Sequence, residues 1–148
     1  MTTYVEDYYP EVSVRLLNRA LKINAKKIVL FGFSDNMKWL FRLFIERSIT
    51  PTLTDWRTEY IEYDCGGQKL THIEDVEDSL DTLLIVCIEE INTLKNAINF
   101  LYHLGKNRIK VIYDRTDRNT PLRQEEPYKP IFEKAYKSLK KNGCLIIN

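Results

Sequence analysis

The chain has 148 residues, with 22 Lys and Arg against 21 Asp and Glu, and 44% of it is hydrophobic, which suits one globular domain of roughly 150 residues. Five Gly and five Pro are too few for a disordered or fibrous chain, and no apolar run approaches the ~18 residues of a membrane span. The start, Met1 to Asp7, lacks the basic-then-apolar pattern of a secretory signal, so the expectation is a cytoplasmic domain and not a membrane protein, a secreted disulfide scaffold or a generally basic nucleic-acid binder.

Residues 10–24 read as a leading helix. Pro10 suits its first turn, and Val14, Leu17 and Leu21 recur at helical spacing with Arg15, Arg19 and Lys22 off that face. Lys27 to Gly32 is a short apolar run ending in Gly, the signature of a strand buried on both faces. A helix follows from about Asp35 to Ser48, with Met37, Leu40, Phe41, Phe44 and Ile45 as its apolar stripe. Thr50 to Trp56 reads as the second strand. Gly66-Gly67, between two short strand-like stretches, predicts a small hairpin. Ile73 to Ser79 is acidic and predicts a single helical turn. Thr82 to Ile88 is another buried strand, and a helix follows from about Glu90, with Ile91, Leu94, Ile98 and Leu101 on one face and Gly105 as its stop. Arg108 to Tyr113 is the next strand. Asp114 to Pro127 is polar and aperiodic, a long loop; residues 128–141 predict a last helix and Cys144 to Ile147 a final strand.

Strands alternating with helices imply a parallel sheet covered on both faces. The predicted fold is a single doubly wound α/β domain over 1–148. Its sheet is mostly parallel, five-stranded and Rossmann-like, with a small hairpin excursion.

Near-neutrality hides an asymmetry. Residues 55–90 carry 11 acidic groups against Arg57 and Lys69, a net of −9, whereas residues 106–141 carry 11 bases against 5 acids, a net of +6. These are either solvated faces or complementary surfaces for subunits or a partner, so a homo-oligomer stays open. Aromatics are not interleaved with the bases, which argues against a nucleic-acid groove. Cys65, Cys87 and Cys144 form no metal-ligand pair. Cys87 and Cys144 lie in apolar runs and predict buried thiols; Cys65, before the two glycines, predicts an exposed one.

Ligands of open α/β sheets bind at the carboxyl ends of the strands. A dinucleotide fingerprint, G-x-G-x-x-G, is here reduced to Gly32-Phe33-Ser34-Asp35-Asn36-Met37. Gly32 and Ser34 can shape a tight turn near an anion at a helix N-terminus; Gly32 as a turn residue, with Ser34 or Asp35 as a helix cap, is the competing use. Asp55 lies 23 residues after Gly32, where an acidic residue typically holds the ribose hydroxyls of a nucleotide. Trp56 and Arg57 beside it could stack on a base. Glu89 and Glu90, then Tyr113, Asp114 and Arg115, follow the next two strands and would ring the same end, although the Glu pair also suits a helix start. Neither His72 nor His103 completes a catalytic set.

The passage from Lys27 to Gly32, Phe33-Ser34-Asp35, a helix and a strand ending in Asp55-Trp56 resembles a known module over about residues 26–113. It is similar to the Rossmann-like N-terminal domain of bacterial sugar O- and N-acyltransferases of polysaccharide biosynthesis, and to domains that precede methyltransferases in glycan-biosynthesis proteins. That resemblance implies binding of the nucleotide part of a sugar nucleotide, with Gly32, Ser34 and Asp55 carried over. A second passage, Ala135 to Ile147 with Leu139-Lys140-Lys141-Asn142-Gly143, resembles the helix–Gly–strand step of class I methyltransferases. It implies S-adenosylmethionine, whose cationic sulfur would suit an acidic lining of Asp35, Asp55, Glu89 and Glu90. The leading expectation is a nucleotide- or nucleotide-sugar-binding module, with cofactor-type contacts from Gly32, Ser34, Asp35, Asp55, Trp56 and Glu89. The alternatives are a small methyltransferase, an NAD(P)-binding oxidoreductase, and a non-catalytic interaction domain with a degenerate site.

Overall fold

Residues 9–106 and 108–114 are described by a computed structural model. The chain enters through α1 (Glu11–Ile23), β1 (Lys27–Phe31), α2 (Asp35–Glu46) and β2 (Thr52–Asp55). An excursion comes next: a 3₁₀ turn at Thr58–Tyr60, the hairpin β3 (Asp64–Cys65) and β4 (Gln68–Lys69), the short β5 (Thr71–His72), and a second 3₁₀ turn at Ile73–Asp75. The chain then continues through β6 (Thr82–Val86), α3 (Ile91–Leu104) and β7 (Lys110–Tyr113).

Among the described residues five parallel strands form one sheet in the order β5-β2-β1-β6-β7. The α/β class, the parallel sheet and the helices on both faces are those expected from the sequence. The fifth of these strands is Thr71–His72, two polar residues without periodicity, paired on the outer side of β2 and not picked out as a sheet strand from the sequence. The predicted loop after Asp114, the helix at 128–141, the strand at 144–147 and the methyltransferase-like passage lie outside the described residues.

Side-chain alternation on the strands splits the core into two layers. Val29, Phe31, Leu84, Val86, Val111 and Tyr113 face α3, which answers with Leu94, Ala97, Ile98 and Leu101. Ile28, Leu30, Leu53, Leu83, Ile85 and Ile112 face the opposite side, under α1 and α2. Each such buried side chain stabilises the fold by roughly 1.5–3 kcal/mol relative to exposure. The chain moves from β1 to β2 on one side and returns across β1 to β6 on the other. Helices after strands that run in opposite directions from the centre must cover opposite faces, because the crossovers share one hand.

Two helix faces differ from the sequence reading. α1 buries Val12, Ser13, Leu16, Leu17 and Ala20 and leaves Leu21 40% exposed. The helix packs against both the sheet and the neighbouring α2, so its contact face is broader than a single stripe and is turned toward Leu16. α2 buries Leu43 and Asn36 and leaves Ile45 43% exposed. Asn36 takes its place because Ser13 of α1 donates a hydrogen bond to its Oδ1 at 2.6 Å; its Nδ2 is buried and has no partner among the described residues.

The helix boundaries follow their capping residues. Ser34 accepts the Met37 N–H at 3.1 Å and caps α2, and Glu90 accepts from Asn92 and Thr93 and caps α3. Gly105 ends α3 in the left-handed region, as its position predicts. The hairpin turn is Gly66-Gly67, both at positive φ, with the Gly67 N–H donated to Asp64 Oδ1 at 2.7 Å. The hairpin lies against α2: a Cβ on Gly66 would stand 2.9 Å from Phe41. This position buries Cys65 at 4% exposure, correcting the exposed thiol expected next to the glycines.

Candidate ligand site at the carboxyl ends of the strands

Strand order reverses between β1 and β6, so the crevice typical of open α/β sheets would lie beyond Phe31 and Val86. That space is stitched and filled. The Cys87 N–H donates to the Phe31 carbonyl at 2.8 Å. The Ser34 hydroxyl shares its hydrogen between the carbonyls of Cys87 and Gly32, at 3.0 and 3.2 Å. Gly32 holds φ +102°, and a Cβ there would meet Ile88 Cγ1 at 2.5 Å, with Trp56 Cζ3 at 3.7 Å. Trp56 is half-buried, its ring 5.3 Å from that of Phe31. Glycine is required here by backbone conformation and by the side chains above it.

On the β2 side the turn is locked by a carboxylate. The Gly32 N–H donates to the Thr54 carbonyl at 2.9 Å. Asp55 is fully buried, and both of its oxygens are occupied. Oδ1 accepts the Arg57 backbone N–H at 2.7 Å and its Nε–H at 2.9 Å. Oδ2 accepts the Phe33 N–H at 2.7 Å and Arg57 Nη2–H at 2.8 Å. Arg57 Nη2 also reaches the Phe33 carbonyl at 3.2 Å. Burial works against the charge of Arg57, but the hydrogen bond and charge of Asp55 outweigh it, and the guanidinium pKa lies above its ordinary value. A ribose hydroxyl could reach this carboxylate only if Arg57 gave up its place.

Outside this lock, aromatic rings collect. The Arg57 guanidinium lies 4.3 Å from the Trp56 ring and 4.2 Å from the Tyr60 ring, a cation between two π faces. Phe33, Tyr60 and Tyr63 touch pairwise with centroids 5.2–5.5 Å apart. Lys38 Nζ stands 5.2 Å from the Phe33 centroid. The sequence marks Arg57 and Trp56 as stacking residues. It does not announce the ring cluster, whose signal is Tyr60 and Tyr63 three apart within the excursion and Phe33 directly after the turn glycine.

The remaining expected residues take separate places. Asp35 is exposed at the first position of α2, with Lys38 at 3.7 Å. Glu89 is half-buried ahead of α3. Hydrogen bonds from Thr93, and from the Asn92 backbone, hold the Glu90 carboxyl below its usual range. Tyr113 is buried at the end of β7, and Asp114 receives the Arg15 Nε–H at 2.7 Å, on the α1 side of the sheet. Arg115 lies outside the described residues. Burial pushes the Cys87 thiol far up, so it is a neutral core group. Among the described residues no cluster of three His, Cys, Asp or Glu side chains could hold a metal, and no helix is long and apolar enough to cross a membrane.

No family model, no curated protein and no solved structure matches this chain.

Proposed function

We propose that the chain is a nucleotide- or nucleotide-sugar-binding module that holds its ligand on the rim of the sheet and not inside the strand-end crevice. The supporting observation is the Asp55–Phe33 hydrogen bond at 2.7 Å. It joins the end of β2 to the turn after β1 and holds a cation and aromatic faces on the outer side of that junction, where α/β sheets commonly receive ligands. With the interior filled by Ile88, a dinucleotide needing close approach to Gly32 is disfavoured, and a ligand contacting the rim through one base is favoured. Isothermal titration of the whole chain with UDP-glucose, NAD and S-adenosylmethionine tests this. UDP-glucose is expected to bind at sub-millimolar concentration and NAD more weakly; no heat with any of the three at millimolar ligand overturns the proposal. Tight S-adenosylmethionine binding would transfer the reading to the methyltransferase alternative.

A second reading has its own observation. Ile88 lies within 2.5 Å of the place a Gly32 Cβ would take, which is what a domain that had given up its phosphate site would carry. On this reading the chain is a non-catalytic interaction domain, and all three titrations are silent.

A further inference from the structure

Tyr63 is 48% exposed, although it touches two other aromatic rings. Its backing is rigid: Phe33 is anchored through its backbone N–H to buried Asp55, and Tyr60 is pressed on by the Arg57 guanidinium. The Tyr63 N–H donates to the Tyr60 carbonyl at 3.1 Å, and its own carbonyl accepts the Leu70 N–H at 2.9 Å. The preceding residue, Glu62, is a non-glycine held at φ +76°, an uncommon and costly conformation for a residue with a side chain. A large ring is thus held half in water by a stiff support. That is what a flat ligand needs, because little freedom remains to be lost when it stacks.

The charges around the ring are mixed: Glu62 and Asp64 adjoin Tyr63 in the chain and are exposed, and the positive groups an anion would meet are two lysines. Lys38 and Lys69 flank the cluster, one on α2 and one on the hairpin. Their ion pairs are long and exposed, Lys38–Asp35 at 3.7 Å and Lys69–Glu62 at 3.6 Å, with more than half of each lysine side chain in solvent. Pairs of that kind contribute little, so either ammonium can turn to a stronger anion at small cost. Lys38 already leans over the Phe33 face.

We infer that Tyr63, backed by Tyr60 and Phe33, is the stacking subsite for the base of a nucleoside phosphate, with Lys38 receiving the phosphate. This rests on the rim-binding proposal above and makes it specific: the base is read by its π face and not by hydrogen bonds to its edge, so purines and pyrimidines are both accepted.

The test titrates the whole chain with UDP and with uridine, and follows the Tyr63 ring protons by NMR. Wild type is expected to bind UDP more tightly than uridine, with an upfield shift of the Tyr63 ring protons for both. Tyr63→Ala should weaken both ligands roughly tenfold or more, the cost of one lost stack, while Tyr63→Phe should stay within about twofold of wild type. Lys38→Gln should weaken UDP and leave uridine unchanged. If wild type binds UDP but neither Tyr63→Ala nor the ring protons respond, the subsite is overturned and nucleotide binding stands. If wild type binds neither ligand, the nucleotide reading fails and the subsite with it. The ring-proton shift is measured on unaltered protein, so it decides the matter even where Tyr63→Ala folds poorly.

Discussion

Gly32 and Phe33 are neighbours in sequence, and their surroundings are opposite. Gly32 faces a space closed by Ile88, Trp56 and the hydrogen bonds of Ser34 and Cys87. Phe33 is half-buried, with its ring against Tyr60 and Tyr63 as well as the core edge, and its N–H and carbonyl are both engaged, by Asp55 and Arg57. One peptide unit therefore separates a sealed strand end from an accessible aromatic surface. The contrast teaches that a strand–glycine–helix turn does not by itself make a ligand crevice. The residues just past the partner strand, here Cys87 and Ile88, decide whether the space is available.

The comparison can be broken from its inner side first. Asp55→Ala should destabilise the fold by about 3–5 kcal/mol in urea unfolding, because it leaves Arg57 and the Phe33 N–H without their buried acceptor. Gly32→Ala should cost about 2–4 kcal/mol, from a Cβ at positive φ pressed into Ile88. Ile88→Ala alone should cost about 2–5 kcal/mol as a truncated core side chain. In its background, however, Gly32→Ala should cost less than in wild type, by the steric part, and keep the backbone part. A neutral Gly32→Ala would mean that the interior is open after all.

The outer side should respond more gently. Tyr63→Ala should shift stability by about 1 kcal/mol or less, since the ring is half in water and loses two aromatic contacts. A larger loss would make the ring cluster a structural support and remove the contrast.

The smallest effect is a pH dependence at the start of α3. The Glu90 carboxyl is held below its usual range by the Thr93 hydroxyl and by the Thr93 and Asn92 amides. A carboxyl with a depressed folded value stabilises fully above its unfolded value, near 4.3. That contribution is lost as pH falls through the folded value. Amide exchange at Asn92 and Thr93 should thus be constant from neutral pH to about 5, after correction for the intrinsic rate, and should lose protection in stronger acid. Glu90→Ala should abolish the acid step.

Much of the architecture is legible in the sequence because period and punctuation agree. β1 and β6 are continuous apolar runs, α2 and α3 carry stripes at helical spacing, and Gly105 and Gly66-Gly67 stand where a left-handed residue is needed. β5 is not legible: two polar residues become a strand only because the end of β2 has free backbone groups to pair. The rotation of α1 is also hidden, since it depends on α2 packing beside it and on the Ser13–Asn36 hydrogen bond. At the site, Gly32, Ser34 and Asp55 do gather at one end of the sheet, as their spacing implies. Their occupation by Arg57, Phe33 and Cys87 is not readable, because those partners meet them only once the sheet has formed. The basic stretch at 106–141 lies largely outside the described residues, whereas Glu59, Glu62, Asp64, Glu74, Asp75, Glu77 and Asp81 are exposed along the acidic one.

β5 has one further consequence. A sheet margin invites another chain in proportion to the length of unpaired backbone it presents. At Thr71–His72 that length is two residues, bounded by a hairpin before it and a 3₁₀ turn after it. Among the described residues this margin offers little backbone for a foreign strand to pair with, which leaves its side chains as the main surface for recognition on this side.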